Sequence, residues 1–198
     1  MSYAPDDKTL VLVQAAQLGD EQARNALYEK HWRKVLSVVR LRMGGLLRSR
    51  MESRDIMQSV MIESMGSLGR FKYESEGAFV HWLSKMVENK LKDKVDYLKA
   101  QKRNVDLDEP GGFFEDNVAD TKLATPSANM RKVELVEQLE QALKHLDEED
   151  RELIIMSKLE ELSYAEIAAA TGRTSEAVRK AIARALTSLS SCVSRESY

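Results

Sequence analysis

Apolar side chains recur along this chain at intervals of three and four residues, the period of a helix with one buried face. Ile56, Met57, Val60, Met61, Ser64, Met65 and Leu68 define one such helix, for which Ser53 is the expected N-cap. After a short turn, Phe79, Leu83, Met86, Val87, Leu91, Val95 and Leu98 mark the inner face of another, while Lys85, Lys90, Lys92, Lys94 and Lys99 fall largely off it. The same period predicts earlier helices over Leu10–Leu18 and Asp20–Leu47, punctuated by Gly19 and Gly44-Gly45. Downstream, Val133–Leu146 reads as amphipathic. Asp147 begins the next helix, whose first turn carries Glu148, Glu149 and Asp150, where the helix dipole favours anions. Ser163 and Glu166 form a capping box for a helix over Tyr164–Ala170, Gly172 supplies a left-handed turn, and Thr174 or Ser175 caps the last helix. That end of the chain reads as a helix-turn-helix.

Between these halves the text changes. The stretch "NVDLDEPGGFFEDNVADTKLATPSAN", Asn104 to Asn129, holds two of the three prolines, a Gly-Gly pair and six carboxylates against one lysine. It reads as a tether extended by its own charge, with Phe113 and Phe114 as candidates for local packing. The expected architecture is therefore all-α: two small helical domains, residues 1–103 and 130–198, joined by an extended acidic linker over 104–129.

Composition supports this picture: 43% hydrophobic and 31% charged residues with few Pro and Gly favour helical domains over an all-β or disordered chain. The net charge of −2 conceals an asymmetry. Lys30–Arg103 contains 17 lysines and arginines against 8 acids, whereas Arg131–Glu161 contains 5 against 10, so the first half invites a polyanion. Cys192 stands alone and excludes an internal disulfide or a thiolate metal site, which fits a reducing, cytoplasmic setting. The opening "MSYAPDDK" lacks the marks of a signal peptide, and no apolar run approaches the roughly 18 residues of a membrane span. No long C-terminal extension follows the last helix, so regulation through an added domain is not expected.

Catalytic patterns are missing as well. His31, His81 and His145 have no carboxylate or cysteine at ligand spacing, no nucleophile elbow or phosphate loop occurs, and "DEED" at Asp147–Asp150 lacks the alternating ligands and glycine of an EF-hand. The expectation is no enzyme activity, no metal and no cofactor.

The last helix divides cleanly. Val178, Ile182, Ala185, Leu186 and Leu189 lie on one side, and Glu176, Lys180, Ala183 and Arg184 opposite, with Arg179 flanking. A major-groove helix needs this division, because the apolar stripe fixes it to its domain while long side chains near its start reach bases and phosphates. Arg179 suits guanine and Glu176 suits cytosine, whereas Arg173 and Arg184 suit phosphates. The plainer alternative is a solvated charged face on a helical hairpin.

The first half selects among these readings. "SRDIMQSVMIESMGSLGRFKYESEGAFVHWLSKMVENKLKDKVDYLKAQKR", Ser53 to Arg103, resembles conserved region 2 of the sigma factors of bacterial RNA polymerase, in the extracytoplasmic-function (ECF) group of the sigma-70 family. "LEELSYAEIAAATGRTSEAVRKAIARAL" resembles that family's region 4. The resemblance implies that Asp55 and Gln58 anchor the chain on core RNA polymerase with Ile56 and Met61 nearby; Ser59 departs from the acid usual after the glutamine. It also implies that Phe71–Phe79 captures a base flipped from the minus-ten promoter element. Phe71, Lys72, Tyr73 and Gly77 would form that loop, Trp82 and Asn89 would meet the duplex edge, and Lys85, Lys92 and Lys94 would hold phosphates. Phe79 reads better as core, and Trp82 fits either role. Arg173, Thr174, Ser175, Glu176, Arg179, Lys180 and Arg184 would meet the minus-thirty-five element. In the family, the linker threads the polymerase's nucleic-acid channels. The implied partners are core polymerase, promoter DNA and, without a residue that identifies it, an anti-sigma factor; direct membrane insertion is not among them. A helix-turn-helix regulator that binds only duplex DNA and a helical protein-binding adaptor remain as alternatives.

Overall fold

The computed structural model of the protein describes residues 7–105, 141–143 and 145–196; the linker beyond Val105, Phe113 and Phe114 included, lies outside these residues, as does most of the expected helix Val133–Leu146. Among the described residues all regular structure is helical.

Helix α1 spans Lys8–Gln17 and is capped by Asp7, whose carboxylate accepts from the Thr9 and Leu10 N–H groups. Gly19, at φ 96°, turns the chain, and Asp20 caps α2, Glu21–Arg42, through the Gln22 and Ala23 N–H groups. α2 stops short of Leu47. Met43 adopts extended backbone ahead of Gly44, and the single turn α3, Gly45–Arg48, completes the segment.

α4 spans Ser53–Ser67, but Glu52 holds the cap position without a side-chain bond, so Ser53 is the first helical residue and not the cap. Its inner positions are Ile56, Met57, Val60, Met61 and Ser64. Met65 departs from the expected stripe and is 40% exposed, because the 3.6-residue period has carried the face outward by that turn. A 3₁₀ turn, Leu68–Arg70, then leads through an extended loop into α5, Glu76–Val105. Helix therefore continues two residues past the expected domain boundary.

In the second half, α6 spans Glu148–Ile154 and is capped by Asp147, which accepts from the Asp150 N–H. It widens into a π turn, Ile155–Leu159, and Glu161 takes left-handed backbone at φ 57°. α7, Tyr164–Thr171, carries the expected capping box in both directions, and Gly172 closes it at φ 69°. α8 runs Ser175–Glu196, with Thr174 Oγ1 accepting from the Ala177 N–H at 3.2 Å, so Thr174 makes the capping bond.

The core of the first half centres on Leu27, Val35, Val38, Met57, Val60, Phe79 and Leu83, all shielded from solvent. It continues without a break into Ala142, Leu143, Leu146, Ile154, Ile155, Ala185 and Leu189. A second, smaller core of Leu153, Met156, Leu162, Ile167, Val178 and Ile182 fixes α7 against α8. Burying each such side chain contributes on the order of 1.5–3 kcal/mol, and this apolar continuity holds the two halves together.

Candidate nucleic-acid interface

At the start of α5 the aromatic residues converge. The 3₁₀ turn brings Phe71 back over the helix, and its N–H donates to Leu68 O at 3.0 Å. The Phe71 ring lies 4.8 Å from the Trp82 ring, 5.4 Å from Phe79 and 6.4 Å from Tyr73. Phe79 is fully buried, with His31 edge-on at 5.2 Å, which places it in the core as expected. Phe71, Tyr73 and Trp82 are half-buried and form the outer layer of the stack. Ser75 Oγ accepts from the Ala78 N–H at 2.9 Å and so fixes where α5 starts.

The loop is held by charge and hydrogen bonds from elements earlier in the chain. Tyr73 Oη donates to Asp7 Oδ2 at 2.7 Å, and burial followed by that carboxylate raises the phenol well above its ordinary range. Burial opposes ionisation of Glu76, yet hydrogen bonds from Lys30 and Thr9 and the charge of Lys30 hold its carboxyl below the usual range. His31 is buried with neither ring nitrogen hydrogen-bonded; burial lowers its pKa to about 4 despite Glu76 at 4.0 Å, so the ring is neutral near pH 7.

Along α5, Trp82, Lys85, Asn89 and Lys92 follow helical spacing on one face, and the last three are exposed. Lys85 pairs with Glu88 at 3.0 Å. Lys72, in the loop, is exposed, as is Lys94. On α4, Asp55 and Gln58 also face outward in one row, which continues into Ile62, 62% exposed, and Met65. Ile56 and Met61 do not join that row. Both are buried in the core, one residue out of phase with the outward row, so neither is exposed beside Asp55 and Gln58, whereas Ile62 and Met65 are. An exposed apolar row beside two polar residues was readable in the sequence once the phase of the helix was known.

The face of α8 matches its sequence pattern. Arg173, Thr174, Ser175, Glu176, Arg179, Lys180 and Arg184 are exposed, while Val178, Ala181, Ile182 and Ala185 are buried. Glu176 receives Arg179 Nη2 at 2.7 Å and lies 3.4 Å from Lys180, and the Arg179 hydrogen bond lowers its pKa. Arg173 pairs with Glu149, and Arg184 lies 3.7 Å from Asp150. The acids of α6 thus partner the flanking arginines of α8, a tertiary role beyond dipole compensation.

Where the halves meet, polar residues that sequence reasoning did not single out become central. Glu160 is fully buried and binds His81 Nδ1, Ser84 Oγ and, at 3.2 Å, Arg42 Nη2. Burial opposes its charge, but these bonds hold its carboxyl below the ordinary range. Arg42 reaches Glu88 at 3.1 Å and also pairs with Glu152, while Lys34 meets Glu161 at 2.8 Å and Ser75 donates to Glu166 at 3.1 Å. His81 therefore does have a carboxylate partner, 79 residues away in the chain. Gly77 is placed differently from the flexible loop residue expected. It lies in the first turn of α5, where an added Cβ would sit 2.8 Å from the carbonyl oxygens of both Glu160 and Glu161. Its lack of a side chain admits the second half of the molecule.

Among the described residues no cluster of side chains suits a metal ion, and no helix is long and apolar enough to cross a membrane. Family models agree with the geometry: sigma-70 region 2 matches residues 27–104 and sigma-70 region 4 matches residues 136–189. The chain is 28% identical over 177 residues to an RNA polymerase sigma-H factor of Pseudomonas aeruginosa, with 88% of each chain covered. It is 33% identical over 181 residues to an ECF RNA polymerase sigma-E factor of Escherichia coli K12, again with 88% of each covered. The fold also matches CnrH, solved in complex with the cytosolic domain of CnrY, at a TM-score of 0.58 and 19% identity over 96% of this chain and 99% of that one. With region 2 and region 4 in order, and only helices in the regular structure of the described residues, the chain belongs to the ECF group of sigma-70 factors, which direct RNA polymerase to promoters.

Proposed function

We propose a division of labour within the chain. The α4 row of Asp55, Gln58, Ile62 and Met65 docks on core polymerase; Phe71, Lys72, Tyr73 and Trp82 receive the opened minus-ten strand, with Lys85, Asn89 and Lys92 along the adjoining duplex; and α8 reads the minus-thirty-five element through Glu176, Arg179 and Lys180. Gly77 serves this site through its place under Glu160 and Glu161, and Arg173 and Arg184 hold phosphates after exchanging their acidic partners for DNA. The chain performs no bond chemistry, which belongs to the polymerase.

The observation that carries this reading is the half-buried stack of Phe71 and Trp82 beside an exposed cationic row on the same helix. Unstacking a base costs a few kcal/mol, and an aromatic platform worth about 1–3 kcal/mol per base offsets it. A regulator of duplex DNA has no use for such a platform. The test combines run-off transcription by core polymerase with binding of the resulting holoenzyme to the non-template minus-ten strand. Promoter-specific RNA with single-strand binding is the expected result. Duplex binding alone returns the chain to the regulator class, and core binding without specific RNA returns it to the adaptor class.

A further inference from the structure

Helix α1 precedes the residues matched by the region 2 model, yet its polar side chains close on the loop between α4 and α5. Gln17 Nε2 donates to two backbone carbonyls of that segment, Leu68 O at 3.0 Å and Phe71 O at 2.7 Å. Asp7 divides its carboxylate: Oδ1 caps α1 while Oδ2 takes the Tyr73 hydroxyl at 2.7 Å. Thr9, fully buried, donates to Glu76 Oε2 at 2.9 Å, the oxygen that Lys30 also reaches at 2.7 Å. These ties fall at the start, middle and end of the segment Leu68–Glu76. They flank the two aromatic rings that the loop itself contributes to the stack.

We propose that α1 is a positioning element for strand capture, with Gln17 and Asp7 acting as positioning residues that hold the Phe71 carbonyl and the Tyr73 ring so that the aromatic platform is formed before DNA arrives. The inference rests on the reading of Phe71–Trp82 as the minus-ten surface. Its physical reason is entropy. An irregular loop without these ties must be ordered when it binds, and each side chain immobilised at that step subtracts from affinity. Bonds made on folding move that cost away from the binding step. Gln17 is itself exposed, so replacing it removes the ties without opening the core.

The test uses holoenzyme carrying the full chain and, as probe, the non-template strand of a promoter that it transcribes in the run-off assay. Gln17→Glu places a carboxylate against two carbonyls, Gln17→Leu removes the donor, and Tyr73→Phe removes only the hydroxyl. Each Gln17 variant is expected to weaken single-strand binding about tenfold, and Tyr73→Phe about threefold, while affinity for core polymerase and for minus-thirty-five duplex stays as in the parent and the melting temperature falls by only a few degrees. In a Phe71→Ala background the Gln17→Leu change is expected to cost nothing further, a coupling that general destabilisation does not produce. Parent-like binding by both Gln17 variants, or full additivity with Phe71→Ala, overturns the positioning role alone. Parent-like binding by Phe71→Ala itself overturns the minus-ten reading and the positioning role with it.

Discussion

The two candidate DNA surfaces are built on opposite plans. Around α8 the candidate side chains are exposed and lie within 12 residues of one another; Arg179 and Lys180 touch the local Glu176, only Arg173 and Arg184 meet acids of α6, and the helix with its apolar stripe is the main support. At the start of α5 the surface is assembled from α1, α2, the loop and α5, with its rings half-buried and its loop tied at several points. The difference follows from the two tasks. Intact duplex presents its groove edges to any rigid helix with long side chains, whereas a flipped base must be met by a surface already shaped to replace its stacking partners.

The sharpest way to break this comparison is Phe79→Ala. If Phe79 is core, as its burial states, the first half loses about 3–5 kcal/mol in chemical denaturation; retained stability with weakened strand binding instead makes it a ligand. Glu160→Ala is expected to cost about 3 kcal/mol, because it leaves Arg42 and His81 without their shared buried carboxylate. Small-angle scattering should then show an expanded molecule, and an unchanged profile would mean that the apolar contact alone holds the halves.

A comparable effect is expected from acid. The folded pKa of His31 is depressed to about 4 from 6.5, so its contribution is complete above pH 6.5 and is lost as pH falls towards 4, where the unfolded chain binds a proton that the native state refuses. That window corresponds to about 3 kcal/mol, read as the difference in pH-dependent stability between the parent and His31→Leu. Equal slopes for the two proteins would contradict the burial of a neutral ring. The smallest stability effect belongs to α8: Arg179→Ala is expected to leave folding unchanged and to relax base preference at one position by about 1–3 kcal/mol. A loss uniform across sequences with a shallower salt dependence would make Arg179 a phosphate contact.

The legibility of the two surfaces differed for the same reason as their construction. Glu176, Arg179 and Lys180 stood outside the α8 stripe in the sequence and stand outside it in the fold, because a single helix carries both pattern and function. Nearness to Asp55 and Gln58 along the chain does not give the face of the helix, which is why Ile56 and Met61 lie in the core and not beside them at the surface. Nothing local to "ESEGAFV" announces the carbonyls that approach Gly77, so the sequence by itself suggests only loop flexibility there. Asp7, Gln17, Arg42 and Glu160 are not visible as a set in the sequence, because each makes tertiary contacts across more than forty residues of chain.

By itself the sequence determined the helical class, the capping box and turn glycine of the helix-turn-helix, and the division of α8 into apolar and basic faces. These rest on helical period and backbone preference, which act between residues a few positions apart. Only the tertiary structure decided which row of α4 faces outward, how α1 braces the aromatic loop, and that a buried glutamate joins the two halves. Those depend on which distant groups exclude water together, and burial, unlike periodicity, is a property of the folded neighbourhood.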